Sequence, residues 1–416
     1  MDDQHDVIII GAGATGLAAA RHLCDAGADT VVLESSDRVG GRIATELIDG
    51  YRIDRGFQVV NTAYPALRRL VDLAELDLRL FDHAVVLADG THRYQIADPR
   101  RHPSRLTDSL CTPVAVSELL RLARFSVRVG YGSARALLAE PETDAGSYLA
   151  AVLDEQTIRR LVVPFLTGVF GAEPLRTSSR VLTMIWRSFV RGRIGVPAAG
   201  MARLAELLAA PLPSGCVRLN TRVTGISGHR VRTEVGGFRA AAIVVATDPS
   251  NAAALLSRLT APPQRALTTV YHSTDTAPSA RPVLLLDASG RTGIANSVVL
   301  TNAAPQYAPV GRHLVATTLA HGQPVDERAL RRALGHLYGV DTSSWQQVTT
   351  VHPTPGLSAA LPPRRHLRDP VMVGDDAFLA GDYRDSPSIQ GALASGHRAA
   401  RAVCADLDLS PGFTHS

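Results

Sequence analysis

The chain has 416 residues, 45% hydrophobic and 20% charged, enough apolar material for two cores. Its net charge of +4 is small and spread out, and no nucleic-acid-binding motif occurs, so no nucleic-acid partner is expected. All 43 basic residues are arginine, which removes Schiff-base and lysine-base chemistry.

The acidic start, residues 1–6, leads at once into Val7-Ile8-Ile9-Ile10, a predicted buried strand, so no signal peptide is expected. No apolar run approaches a membrane span, and a cytoplasmic location follows as the expectation. The strand enters Gly11-Ala12-Gly13-Ala14-Thr15-Gly16, then a helix over Leu17 to Ala26, then a strand from Thr30 to Leu33 closed by Glu34. This βαβ unit with a terminal acid predicts a site for a nucleotide with a pyrophosphate and an adenosine ribose. Gly11 permits the turn, Gly13 lets phosphate oxygens approach the backbone, and Gly16 lets the helix pack on the sheet. The amides of Ala14, Thr15 and Gly16 carry the positive end of the helix dipole. Glu34, with Ser35 beside it, suits the ribose hydroxyls, and its charge repels a 2′-phosphate.

Arg38-Val39-Gly40-Gly41-Arg42 follows directly. Paired glycines let the chain wrap under a long ligand, and Arg42 offsets pyrophosphate charge. This run resembles the second glycine motif of the flavin amine oxidase, protoporphyrinogen oxidase and phytoene desaturase superfamily. The resemblance implies FAD rather than NAD, and an α/β fold: a Rossmann-like FAD-binding domain interwoven with an α+β substrate domain. Gly50 to Phe57 looks like that family's short strand passing the flavin ring, which implies contacts from Gly56, Phe57 and Gln58.

Residues 62–214 open the expected substrate domain. Ala63 to Leu76 reads as a helix, Val85 to Tyr94 as a hairpin around Asp89-Gly90, and residues 113–183 as mainly helical. Within the latter, Ser117 to Phe125 is amphipathic, and no acid falls between Glu118 and Glu140. Arg121, Arg124 and Arg128 there read either as an ordinary solvated face or as a membrane-surface patch giving peripheral contact. Pro164 to Pro174 and Val196 to Leu204 resemble runs of protoporphyrinogen oxidases and plant-type desaturases, with Ala199 where a second glycine is common.

The chain then re-enters the FAD domain, expected to comprise residues 1–61, 215–262 and 352–416. Strands are predicted over Val217 to Val223, Val231 to Val235 and Phe238 to Ala246. The resemblance places the adenine beside the Val223 backbone, and sets Ala246 and Thr247 beside the cofactor. Residues 263–351 complete the substrate domain, with strands over Val283 to Leu286, Ser297 to Leu300 and His313 to Thr317, and a helix over Asp326 to Leu337. Phe378 to Tyr383 is read as a strand ending in Gly381-Asp382, and Ser386-Pro387-Ser388-Ile389 opens the last helix. This run resembles the superfamily's C-terminal flavin motif and is closest in style to plant-type carotene desaturases. It implies contacts from Gly381, Asp382, Ser388, Ile389 and Ala392.

Cys24, Cys111, Cys216 and Cys404 are widely spaced and read as reduced thiols, and no metal site is expected. No cysteine lies between Gly356 and Asp382, where covalent relatives attach their flavin, so non-covalent FAD is expected. The resemblance implies an oxidoreductase in which a small-molecule substrate gives a hydride to flavin N5, with oxygen, a quinone or another carrier as electron acceptor. An apolar, isoprenoid- or porphyrinogen-like substrate and a desaturase or dehydrogenase reaction fit best. Amine oxidation, a flavin isomerase or dehydroxylase, and a non-catalytic FAD-binding protein stay open. Amine oxidases typically use a lysine near N5, absent here, and Ser388 stands where they often carry a tyrosine. Tyr383 and Gln58 are the candidate catalytic residues, on proximity to flavin-side motifs alone. His272, His321, His352 and His366 read as structural or surface histidines.

Overall fold

The computed structural model describes residues 3–98, 100–101, 112, 114–319, 326–352, 356–364, 367–373 and 377–410. Cys111, His321 and His366 lie outside these.

In chain order, β1 (Asp3–Ile10), α1 (Ala14–Asp25) and β2 (Thr30–Leu33) form the βαβ unit, followed by a hairpin of β3 (Thr45–Ile48) and β4 (Tyr51–Asp54). A helical lobe includes α2 (Val116–Tyr131), α3 (Val163–Phe170) and α4 (Ser179–Arg191). β5 (Val217–Arg218), β6 (Val223–Ser227), β7 (Arg230–Thr233) and β8 (Gly237–Val245) follow. β9 (Thr268–Thr274) begins the return to a second sheet, and β10 (Ala377–Leu379) and α5 (Ile389–Asp406) close the chain.

The first sheet runs β5-β2-β1-β8-β7-β6, with β10 pairing β8. β2, β1, β8 and β10 are mutually parallel, which needs both faces covered. Near-continuous apolar runs supply this. Ile8, Ile10, Val31 and Leu33 face one cluster, and Val7, Ile9 and Val32 face the other, under α1 and α5. The first crossover leaves β1 towards β2, while β8 enters on the other side. The mouth at the C-terminal end of β1 is therefore the switch point where such sheets bind ligands. The second sheet has seven strands, ordered Gln346–Val351, β9, His313–Leu319, Ile294–Val299, Leu284–Asp287, Ala84–Ala88 and Arg93–Ala97. Among the described residues no helix is long and apolar enough to cross a membrane.

Some expected elements are shorter. The helix expected from Ala63 covers only Pro65–Leu70, because Val71 is extended and the Asp72 side chain accepts from the Ala74 amide in a turn. The strand expected over Val217 to Val223 is broken at Asn220, whose φ of 51° is left-handed. The last strand stops at Leu379, before a single 3₁₀ turn, Asp382–Arg384.

Candidate functional site

The mouth of β1 is built from four separate stretches of sequence. Gly11 turns at φ 103°, and a β-carbon there would stand 3.0 Å from the carbonyl oxygen of Ala246. Ala246 and Thr247 thus flank the turn, and the Ala246 amide donates to Ile10. Gly13 caps α1 with no side chain of its own, and a β-carbon on it would meet no protein atom within 4 Å. Gly16 has no such space: a β-carbon would strike the Gly11 carbonyl, so this glycine serves close packing.

Gly40 lies alongside Gly13 in a parallel bridge, and its amide donates to the Ala12 carbonyl at 2.8 Å. Gly41, at φ 56°, would bring a β-carbon to 3.5 Å from the Gly13 Cα. The two glycine motifs therefore face one another across a strip of bare backbone. That strip, at a helix N-terminus with no side-chain cap, fits a pyrophosphate.

Glu34 is buried beside this strip. One carboxylate oxygen accepts from the Ala12 amide at 2.8 Å, and the other from the Ser36 amide and hydroxyl at 2.9 and 2.8 Å. The Ser35 hydroxyl reaches Glu34 at 3.4 Å, and the Arg38 carbonyl accepts from Ser36. Glu34 is thus fixed by its own loop, with its carboxylate at the C-terminal end of β2 beside the glycine strip. Its carbonyl accepts from the Thr221 amide, which brings the start of β6 near the same edge. Val223 is half-buried there and pairs with Thr233.

Arg42 and Asp382 meet across 340 residues, with Nη2 to Oδ1 2.7 Å. Each is expected to contact the cofactor; the structure also pairs them with one another, and Asp382 pushes the Arg42 guanidinium pKa further up. Arg42 also donates to the Gly356 carbonyl. Gln58 donates its amide to the carbonyls of Arg42 and Arg55 at 2.9 and 3.0 Å, so that nitrogen braces the loop. Gly56, at φ 93°, faces Thr269 on β9, whose hydroxyl accepts from the Phe57 amide at 3.3 Å. The N-terminal motifs, the C-terminal motif and the second sheet thereby converge.

At α5, Ser388 is the N-cap and accepts from the Gly391 amide at 3.0 Å. Ile389 and Ala392 lie in the first turn. Gly381 has no room for a β-carbon because the Tyr383 ring lies against it. Tyr383 is buried in the cluster containing Ile10, Val245 and Leu379, its hydroxyl has no hydrogen-bond partner among the described residues, and burial pushes its pKa well up. His352 lies 3.5 Å from the Thr268 hydroxyl, and His272, on β9 of the second sheet, is buried against Trp345.

Asp54 was missed as a site residue. Its buried carboxylate accepts from Thr45 (2.5 Å), the Met201 amide (2.9 Å) and Tyr307 (2.7 Å), and its carbonyl from Tyr271. Burial raises its pKa against the pull of those bonds. The only signal in sequence was its place in the flavin-passing run, since its partners stand up to 253 residues away.

A family model described as flavin containing amine oxidoreductase matches residues 14–404. Protoporphyrinogen oxidase 1, chloroplastic, of Arabidopsis thaliana is 27% identical over 192 residues, 44% of this chain and 34% of that protein. Putrescine oxidase of Kocuria rosea is 38% identical over 99 residues, 24% of this chain and 20% of that protein. The match thus spans about a third or less of either relative's length. A solved structure of a putrescine oxidase double mutant superposes with a TM-score of 0.72 at 19% identity, covering 97% of this chain and all of that one, which establishes the shared fold.

Proposed function

The chain belongs to the flavin containing amine oxidoreductases and is an FAD-dependent oxidoreductase, and from that premise we propose a desaturase or dehydrogenase acting on an apolar, isoprenoid- or porphyrinogen-like small molecule. When bound, FAD accepts a hydride at its N5 atom. The protein holds the cofactor non-covalently through residues 1–61, 215–262 and 352–416, and residues 62–214 and 263–351 hold the substrate. Gly13, Gly40 and Gly41 carry the pyrophosphate, Glu34 the ribose, and the α5 N-terminus faces the flavin end. Arg42 and Asp382 bind as a pair: Arg42 meets phosphate charge while Asp382 keeps the guanidinium in place.

The observation that carries the substrate reading is Ser388. Its hydroxyl is spent on capping α5, so a position where amine oxidases often have an aromatic wall holds a small, backbone-bound side chain. No lysine is available to the site. A C–H bond flanked by an apolar framework can be presented without a nearby protein base. Oxygen, a quinone or another carrier takes the electrons. An apolar substrate partitions into lipid, so peripheral contact of a cytoplasmic protein with a membrane belongs to the same reading. Amine oxidation is the second reading, favoured by the likeness to putrescine oxidase.

The test is flavin bleaching of the FAD-loaded protein without oxygen against amines, isoprenoids and porphyrinogens. Bleaching by an isoprenoid or porphyrinogen is expected. Bleaching by amines alone would replace this reading with the second.

A further inference from the structure

Exposed large apolar side chains are few among the described residues, and Val116, Leu120, Val127 and Tyr131 gather on α2. Leu120 is 66% and Val127 51% exposed. Their spacing sets all of them on one side of a helix with 3.6 residues per turn. This is a second apolar face, because Phe125 and Val129 already bury the opposite side in the helical lobe. Arg124 lies along the exposed side and has no hydrogen bond or ion pair among the described residues. Arg121 and Arg128 flank it while paired with Glu118 at 3.0 Å and Glu140 at 2.9 Å. At the C-terminal end, Arg100 and Arg191 stand 5.6 and 5.9 Å from the Tyr131 ring centre.

We propose that this face of α2 docks on an anionic lipid bilayer, the helix lying in the plane of the interface with Leu120 and Val127 in the acyl boundary. An apolar line alone would suit a second copy or another protein. Three arginines against Glu118 and Glu140 leave the flank net positive, which favours an anionic surface. Within α2 the arginines stand against one acid, Glu118, which is itself buried and bonded to the Asp154 amide. The aromatic-and-arginine end matches the headgroup level, where such side chains settle. The proposal deepens the membrane element of the functional reading, and its test needs no turnover, so either can fail alone.

The experiment is co-sedimentation of the FAD-loaded protein with phosphatidylglycerol or phosphatidylcholine vesicles, with light scattering of the free protein alongside. Binding to phosphatidylglycerol at low salt is expected, weakened about tenfold or more by high salt or by phosphatidylcholine. Leu120→Glu with Val127→Glu should abolish it with flavin content unchanged. Arg124→Glu should weaken it several-fold, with Arg124→Lys restoring it. Arg222→Glu, on an exposed side chain of the first sheet's edge, should bind as wild type. No sedimentation at low salt, equal binding to both vesicles, unchanged binding by the Leu120/Val127 variant, or a dimer dissolved by that variant would each overturn the proposal.

Discussion

Asp54 shows how one side chain can hold the site to its scaffold. The carboxylate ties the β3–β4 hairpin to the Met201 turn and to Tyr307, and its backbone carbonyl ties it to β9. Gly56 and Phe57, two and three residues on, inherit that position. Asp54→Ala would leave the Thr45 hydroxyl, the Met201 amide and the Tyr307 hydroxyl without their buried acceptor, a cost of about 3 kcal/mol. The denaturant midpoint of the flavin-loaded protein should fall accordingly, while Glu46→Ala, on an exposed side chain of the same hairpin, should change it little. Equal midpoints for the two would remove Asp54 from this role. Beyond its place in the run from Gly50 to Phe57, none of this was legible in sequence, because a buried carboxylate is defined by partners that only folding brings near. The placement of Gly11, Gly13 and Glu34 at the mouth of β1 was legible because it is local, set within one βαβ unit.

At the scale of elements, β9 alternates between two environments. Tyr271 faces the site side and bonds to Asp54, while His272 faces the helix Glu327–Tyr338 and Trp345. Burial lowers the His272 pKa to about 4, outweighing Glu327, which lies 3.6 Å away and raises it, and Arg331 lowers it further. The unfolded chain takes up this proton near the ordinary value of 6.5 and the folded protein only near 4. Stability is therefore full above about pH 6.5 and is lost as pH falls towards 4, by up to ~3 kcal/mol from this residue. His272→Leu stays close to the imidazole's volume and leaves the Arg331–Glu327 pair at 2.6 Å, so it should flatten the acid limb of a stability-against-pH curve while changing stability at neutral pH less. Parallel curves for the two proteins would contradict that assignment. Element type was largely readable from apolar periodicity. Element ends were not, because they depend on single conformations such as left-handed Asn220 and the Asp72 turn.

At the scale of the whole molecule, the candidate cofactor site is a junction. Arg42 and Asp382 pair across 340 residues, and Ala246 reaches Gly11 from the middle of the chain. The sequence carried each motif separately, and the resemblance supplied their common ligand. The pairing of Arg42 with Asp382 and the bracing of Gln58 emerged only from the fold. The parallel arrangement of β2, β1, β8 and β10 explains the weave: parallel neighbours need long crossovers, and the helical lobe and second sheet are inserted where those crossovers occur. Whether FAD is held non-covalently by both ends of the chain is tested most directly by flavin content per polypeptide after gel filtration, with acid precipitation of the same samples. About one FAD per wild-type chain is expected, released to the supernatant by acid, and most of it lost in Gly13→Val, Glu34→Ala and Asp382→Ala but not in Arg124→Ala. Equal flavin in all of these proteins, or flavin that stays with the acid pellet, would contradict it.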